Sequence, residues 1–151
     1  MLIQVDAQAL EVRVAAWYYD DKVLIDELVS GQDIHENNRK LFNLPSRLIA
    51  KILVFRTIYG GSAYSFANDP DFVEVSRSEK FWQKVLNTFY EKYQGIRKGH
   101  TKDIQTVAAT GKLVMPTGRV YHYTPVKKGN EYKLPETTIK NYPINFSGLI
   151  Q

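Results

Sequence analysis

Residues 47–61 read RLIAKILVFRTIYGG, and the spacing inside this stretch decides how the rest of the chain is read. Arg47, Lys51, Phe55 and Tyr59 stand four residues apart. Four residues advance an α-helix by about 400°, so these side chains form one slowly drifting stripe about 18 Å long. Two cations come first and two aromatic rings follow. Such a wall offers charge to a polyphosphate, then flat surfaces to a sugar and a base. The planar Arg fork can bind two phosphate oxygens, and Lys supplies a compact point charge. Aromatic rings stack on bases for roughly 1–3 kcal/mol each, whatever the base. Ile49, Ile52 and Leu53 form a separate apolar face that frees the stripe for another task. Spacing alone still favours a plainer reading, with Phe55 and Tyr59 as core rings and the cations merely solvated. The neighbours must decide.

Pro45-Ser46 opens this helix and the Gly60-Gly61 pair stops it. Upstream, Leu2 to Val5 is a short apolar run ending at Asp6, the pattern of a buried strand. From Leu10 to Tyr18 the spacing turns helical, with Leu10, Val14 and Trp17 predicted on the packed face. Val23 to Leu28 is another helical run, closed by Gly31, and Asp33 can cap a helix reaching about Phe42. Downstream, Ser78 to Tyr93 is an amphipathic helix, and a further one runs from Ile96 to about Ala109. Leu113 to Met115 and Arg119 to Tyr123 flank Pro116-Thr117-Gly118 as a hairpin. Lys127 to Glu131 reads as a polar loop, and Pro135 and Pro143 restrict the tail. Strands and helices do not alternate, so the expected class is α+β with helices dominant.

The 151 residues suffice for one domain with its own core, and 44% hydrophobic with 24% charged residues is ordinary for a globular chain. Cysteine is absent, which removes disulfide frameworks and thiolate metal sites. Asp6, Glu11 and Arg13 interrupt the N-terminal apolar run, so it reads as neither leader nor anchor. The net charge of +4 leans mildly toward polyanionic partners.

With its neighbours, the stripe resembles a known family. Arg47-x-x-x-Lys51-x-x-x-Phe55-x-x-x-Tyr59-Gly60 is similar to motif B of family A DNA polymerases, the class of bacterial polymerase I and many phage replicative enzymes. Asp6-Ala7-Gln8-Ala9-Leu10-Glu11-Val12-Arg13 resembles motif A, and Gly31-Gln32-Asp33-Ile34-His35 resembles the family's Asp-Ile-His element. Asn141-Tyr142-Pro143 extends the likeness more loosely toward the end of the chain. The resemblance implies palm strand and helix in residues 1–20, fingers helices in 21–110, and a hairpin returning toward the palm in 111–151. It implies that Asp6, with the Ala7 carbonyl, binds one side of a pair of Mg²⁺ ions. Asp6 and Lys51 would then be catalytic, and His35, Arg47 and Lys51 would hold the triphosphate of an incoming dNTP. Phe55 would lie against its sugar, while Glu11 would exclude a ribose 2′-hydroxyl and could pair with the Tyr59 hydroxyl. Tyr59, Gly60, Arg13 and Asn145 would meet primer-template DNA. The expected compartment is the cytoplasm of a bacterium or of a phage-infected host cell.

The chain also departs from the family's pattern. The second metal-binding carboxylate belongs to a His-Asp-Glu element, and none of His35, His100 and His122 precedes Asp-Glu. Asn145 stands where the family usually has Gln, followed by Phe146-Ser147-Gly148. The expectation drawn is a fragment of a DNA-directed DNA polymerase, active when complementary chains supply that element and the thumb, and inactive alone. The alternative is a non-catalytic nucleotide or nucleic-acid binding module, or an inactive remnant.

Overall fold

The computed structural model describes residues 9–124, together with the backbone of 126–128 and 131–133. The strand expected at 2–5, the residues Asp6 and Ala7, the tail prolines Pro135 and Pro143, and the segment holding Asn141 to Asn145 lie outside the described residues. Among those described, seven helices come first: α1 (Leu10–Tyr18), α2 (Lys22–Val29), α3 (Ile34–Leu41), α4 (Arg47–Ile58), α5 (Ala63–Ala67), α6 (Glu79–Lys92) and α7 (Gln94–Thr110). Two antiparallel hairpins follow, β1 (Lys112–Val114) with β2 (Val120–His122) and β3 (Val126–Lys128) with β4 (Glu131–Lys133). The helix-dominated class is as the sequence predicts. No helix among the described residues is long and apolar enough to cross a membrane.

Local chemistry sets the helix boundaries. Side chains of Asp21, Asp33, Ser46, Ser62 and Ser78 accept backbone N–H groups at the starts of α2 to α6, satisfying donors that have no partner within the helix. The first four helices end alike. A residue with positive φ follows each (Asp20, Gly31, Asn43, Gly60), and the next residue's N–H reaches back to a carbonyl five positions earlier, as in Gly61 to Arg56 at 2.8 Å. Gly61 has a second role: a Cβ there would sit 2.6 Å from the Phe66 ring, so its bare backbone lets α5 pack against the end of α4.

The main core gathers side chains from α1 to α7 around Trp82, Phe66, Phe72, Phe89 and Tyr93, all fully buried. Trp82 meets Phe72 and Phe81 edge-on at 5.1 and 4.9 Å. A smaller cluster of Val107, Leu113 and Met115 joins the first hairpin to α7. Three local expectations are corrected. The packed face of α1 is Val12, Ala15 and Ala16, whereas Trp17 is 64% exposed, because small side chains let the neighbouring helices approach closely. The packed face of α4 is Ala50, Leu53, Val54, Thr57 and Ile58, with Ile49 and Ile52 only flanking it. Lys127 to Glu131 is not a loop throughout, since Lys127 and Lys128 pair with Tyr132 and Glu131 in a second hairpin.

Buried polar groups tie the helices across long sequence separations. Asp21, 1% exposed, accepts from Leu24 N at 3.0 Å with one carboxyl oxygen and from Ile96 N at 3.1 Å with the other, so one side chain caps two helices. Glu27 receives the Tyr93 hydroxyl at 2.7 Å and the Lys92 ammonium at 2.8 Å, and Asn38 donates to Tyr93 at 3.0 Å.

Candidate functional site

Among the described residues, two clefts bear on the site. The larger, about 900 Å³, lies among Tyr18, Tyr19, Lys98 and Asp103 and holds none of the stripe. The second, about 590 Å³, is formed where α1, α3 and α4 meet, and it collects the residue types that bind nucleotides. Glu11 and Arg13 reach it from α1, Asp33 and His35 from the start of α3, and Arg47, Lys51 and Phe55 from α4. The chemistry selects the second.

The first three residues of the stripe are not core, whereas Tyr59 packs against its edge. Because α4 buries positions 50, 53, 54, 57 and 58, the positions 47, 51 and 55 fall on its open side. Arg47 and Lys51 are exposed, and Phe55 keeps 38% of its surface in solvent. Tyr59 ends the helix, half-buried, with its ring 5.0 Å from that of Phe55 and tilted by 40°. Burial, and after it the charge of Glu11, push the Tyr59 hydroxyl above its ordinary pKa. Gly60, at φ 80°, is the residue that turns the chain out of α4.

Asp33 caps α3 through hydrogen bonds from the backbone N–H of His35 and Glu36, both 3.1 Å, and Arg47 Nε donates to its other oxygen at 2.7 Å. That guanidinium holds the Asp33 carboxyl below the usual carboxylate range. His35 is half-buried on the cleft wall, and its Nδ1 atom is buried with no hydrogen-bond partner among the described residues. Burial, then the Arg47 and Lys51 charges, lower its pKa against the opposing pull of Asp33. Burial and the two cations thus favour the neutral form of the ring.

Of the residues proposed from sequence, the structure brings together Glu11, Arg13, His35, Arg47, Lys51 and Phe55 around one cleft, and Tyr59 touches the cleft only through its tilted ring contact with Phe55. Asp6, Ala7 and Asn145 lie outside the described residues. Sequence reading gave Asp33 only the role of a cap, although the offset to Arg47 across the intervening turn could have suggested a pair. His100, given no role by the sequence, is buried in α7, its Nε2 3.1 Å from the Ile58 carbonyl and its Nδ1 3.2 Å from the Tyr90 hydroxyl. It fastens the last turn of α4 to α7. No group of three or more His, Asp or Glu among the described residues is placed to hold a metal ion.

The helical frame with this cleft is a polymerase-domain fold. It matches the POL domain of Pol1 from M. smegmatis, solved in complex with DNA primer-template and dNTP, with a TM-score of 0.72 at 18% identity, over 94% of this chain and 25% of that one. The chain belongs to DNA polymerase family A, whose model matches residues 1–148. It is 28% identical over 119 residues to a DNA polymerase of Mycobacterium phage L5, and 27% identical over 139 residues to that of phage D29. It is also 24% identical over 138 residues to DNA polymerase I of Caldicellulosiruptor bescii. These matches cover 79%, 87% and 86% of this chain but 19%, 22% and 16% of the relatives, so the chain spans about a fifth of their length.

Proposed function

We propose that the α1–α3–α4 cleft receives an incoming dNTP for template-directed DNA synthesis. The observation that carries this is the arrangement of unlike groups along one wall. His35, Arg47 and Lys51 are gathered at one part of a single cleft, with Phe55 and then Tyr59 following along α4. Arg47 and Lys51 would neutralise the triphosphate, and the unpartnered His35 nitrogen would gain a hydrogen bond from it or to it. Phe55 would pack on the sugar and Tyr59 on the base. Glu11, on the wall of the same cleft, would disfavour a 2′-hydroxyl.

Asp6 is three residues before Ala9, which lines the cleft. Its carboxylate and the Ala7 carbonyl are oxygen donors of the kind Mg²⁺ prefers, and a pair of such ions would stabilise the attacking and leaving oxygens. One carboxylate is too little charge for two divalent cations. In this reading the second comes from polypeptide outside these 151 residues, as does the grip on duplex DNA, and the chain acts as the nucleotide-binding part of that assembly.

The test is to mix the chain with polypeptide supplying the remaining palm and thumb of a family A polymerase, then add primer-template, Mg²⁺ and dNTPs. Primer extension that Asp6→Ala abolishes supports the reading. Triphosphate binding without turnover in any such mixture would instead make the chain a binding module.

A further inference from the structure

We propose that Asp33 is a positioning residue for Arg47, locking the side chain that reaches the triphosphate to the helix that carries His35; the inference rests on the dNTP reading above. The carboxylate divides its work between its oxygens. Oδ1 accepts the His35 and Glu36 N–H groups and so fixes the first turn of α3. Oδ2 accepts Arg47 Nε at 2.7 Å, across 14 residues and from a different helix. Arg47 is the first residue of α4 and is exposed, so without this contact its long side chain would sample many rotamers.

The point of attachment matters as much as the attachment. Asp33 takes the Nε edge, and no described residue bonds the two terminal nitrogens of the guanidinium. A planar fork held by its inner edge keeps its outer edge available to bind two oxygens of one phosphate. All three side chains line the same cleft, so the carboxylate sets the relative placement of the imidazole and the guanidinium on facing helices. An acid beside an anion site also repels the ligand. The pair is exposed, with side-chain accessibilities of 52% for Arg47 and 44% for Asp33, so solvent and salt screen that repulsion strongly. Ordering of Arg47 therefore outweighs it at physiological salt.

The test is a double-mutant cycle on the full chain, reading dATP–Mg²⁺ binding by calorimetry. Asp33→Asn keeps a side-chain oxygen for the α3 cap while replacing the ionic hold on Arg47. It should weaken binding about two- to fivefold with unchanged helix content by circular dichroism, as expected when an exposed ionic hold is lost. In an Arg47→Ala background the same change should do nothing or tighten binding, since only the repulsion then remains. Equal losses in both backgrounds would mean that Asp33 serves the fold and not Arg47, and would overturn the inference. So would unchanged or tighter binding by Asp33→Asn alone. If the unsubstituted chain binds neither dATP–Mg²⁺ nor inorganic tripolyphosphate, the dNTP reading itself falls and takes this inference with it.

Discussion

Asp21→Ala should be among the most damaging single polar substitutions in the helical frame. Its carboxyl group holds two backbone donors, Leu24 N three residues away and Ile96 N 75 residues away, and is 1% exposed. Losing an N-cap costs about 0.5–2 kcal/mol, and leaving a buried N–H unpaired costs about 1–3 kcal/mol. The two descriptions overlap, so each lost contact is counted once at about 1.5–2 kcal/mol, and both together at about 3–4 kcal/mol. Relaxation cannot recover much of this. The first turn of α7 rests on Asp21 so closely that a Cβ at Gly95 would lie 2.6 Å from the Asp21 Cα. Asp21→Asn supplies one acceptor where two donors wait, so it should lose about half as much. Urea unfolding followed by circular dichroism reads the effect directly. With a slope of about 2 kcal/mol per molar for a chain of this size, the Ala variant's midpoint should fall by about 1.5–2 M. A loss below about 1 kcal/mol, or an Asn variant as stable as the parent, would refute the claim that both oxygens are needed.

Other outcomes follow from the same geometry. Lys51→Ala should weaken dATP–Mg²⁺ binding and flatten its dependence on salt, because a charge contact has been lost; a change in affinity with no change in salt slope would count against it. Lys92→Met leaves Glu27 buried without its cation and should cost about 3–5 kcal/mol, much of it restored by adding Glu27→Gln, as urea titrations of the single and double variants can show. Gly99→Ala would place a Cβ 1.9 Å from the Tyr19 ring, forcing that ring to move at about 1–3 kcal/mol, measurable as a lowered melting temperature. His100 is buried as a neutral ring, its pKa lowered by desolvation to about 4 against the ordinary 6.5. The unfolded chain then takes up a proton first as pH falls, so this residue's contribution is lost between pH 6.5 and 4, on the order of 3 kcal/mol in all. His100→Gln should remove that slope. Asp103, raised by burial to about 6, slopes the other way in the same window, but it is present in both proteins and cancels in the comparison.

Several features that depend on a few consecutive residues were legible in the sequence. The caps Asp33, Ser46 and Ser78, the glycine stops at Gly31 and Gly60, and the helical period through residues 47–59 act within one or two turns. Asp20 and Asn43 end α1 and α3 with the same backbone shape as those glycines, yet neither residue announces a positive φ, since each has an ordinary alternative in helix or loop. Trp17 illustrates the other failure: hydrophobicity placed it inside, but Ala15 and Ala16 won the face because α1 packs closely against its neighbours.

The four-residue stripe was fixed by sequence, whereas its exposure was not. The period says that Arg47, Lys51, Phe55 and Tyr59 share a side of α4; only the packing of Ala50, Leu53, Val54, Thr57 and Ile58 into the core turns that side outward. Likewise the cap at Asp33 is local, but its bond to Arg47 exists because α3 and α4 fold back on each other, and the joint from Asp21 to Ile96 exists because α7 returns to α2. Hydrogen bonds reach about 3 Å and chain entropy separates distant residues, so such pairs form only after burial of the apolar faces has brought their helices together.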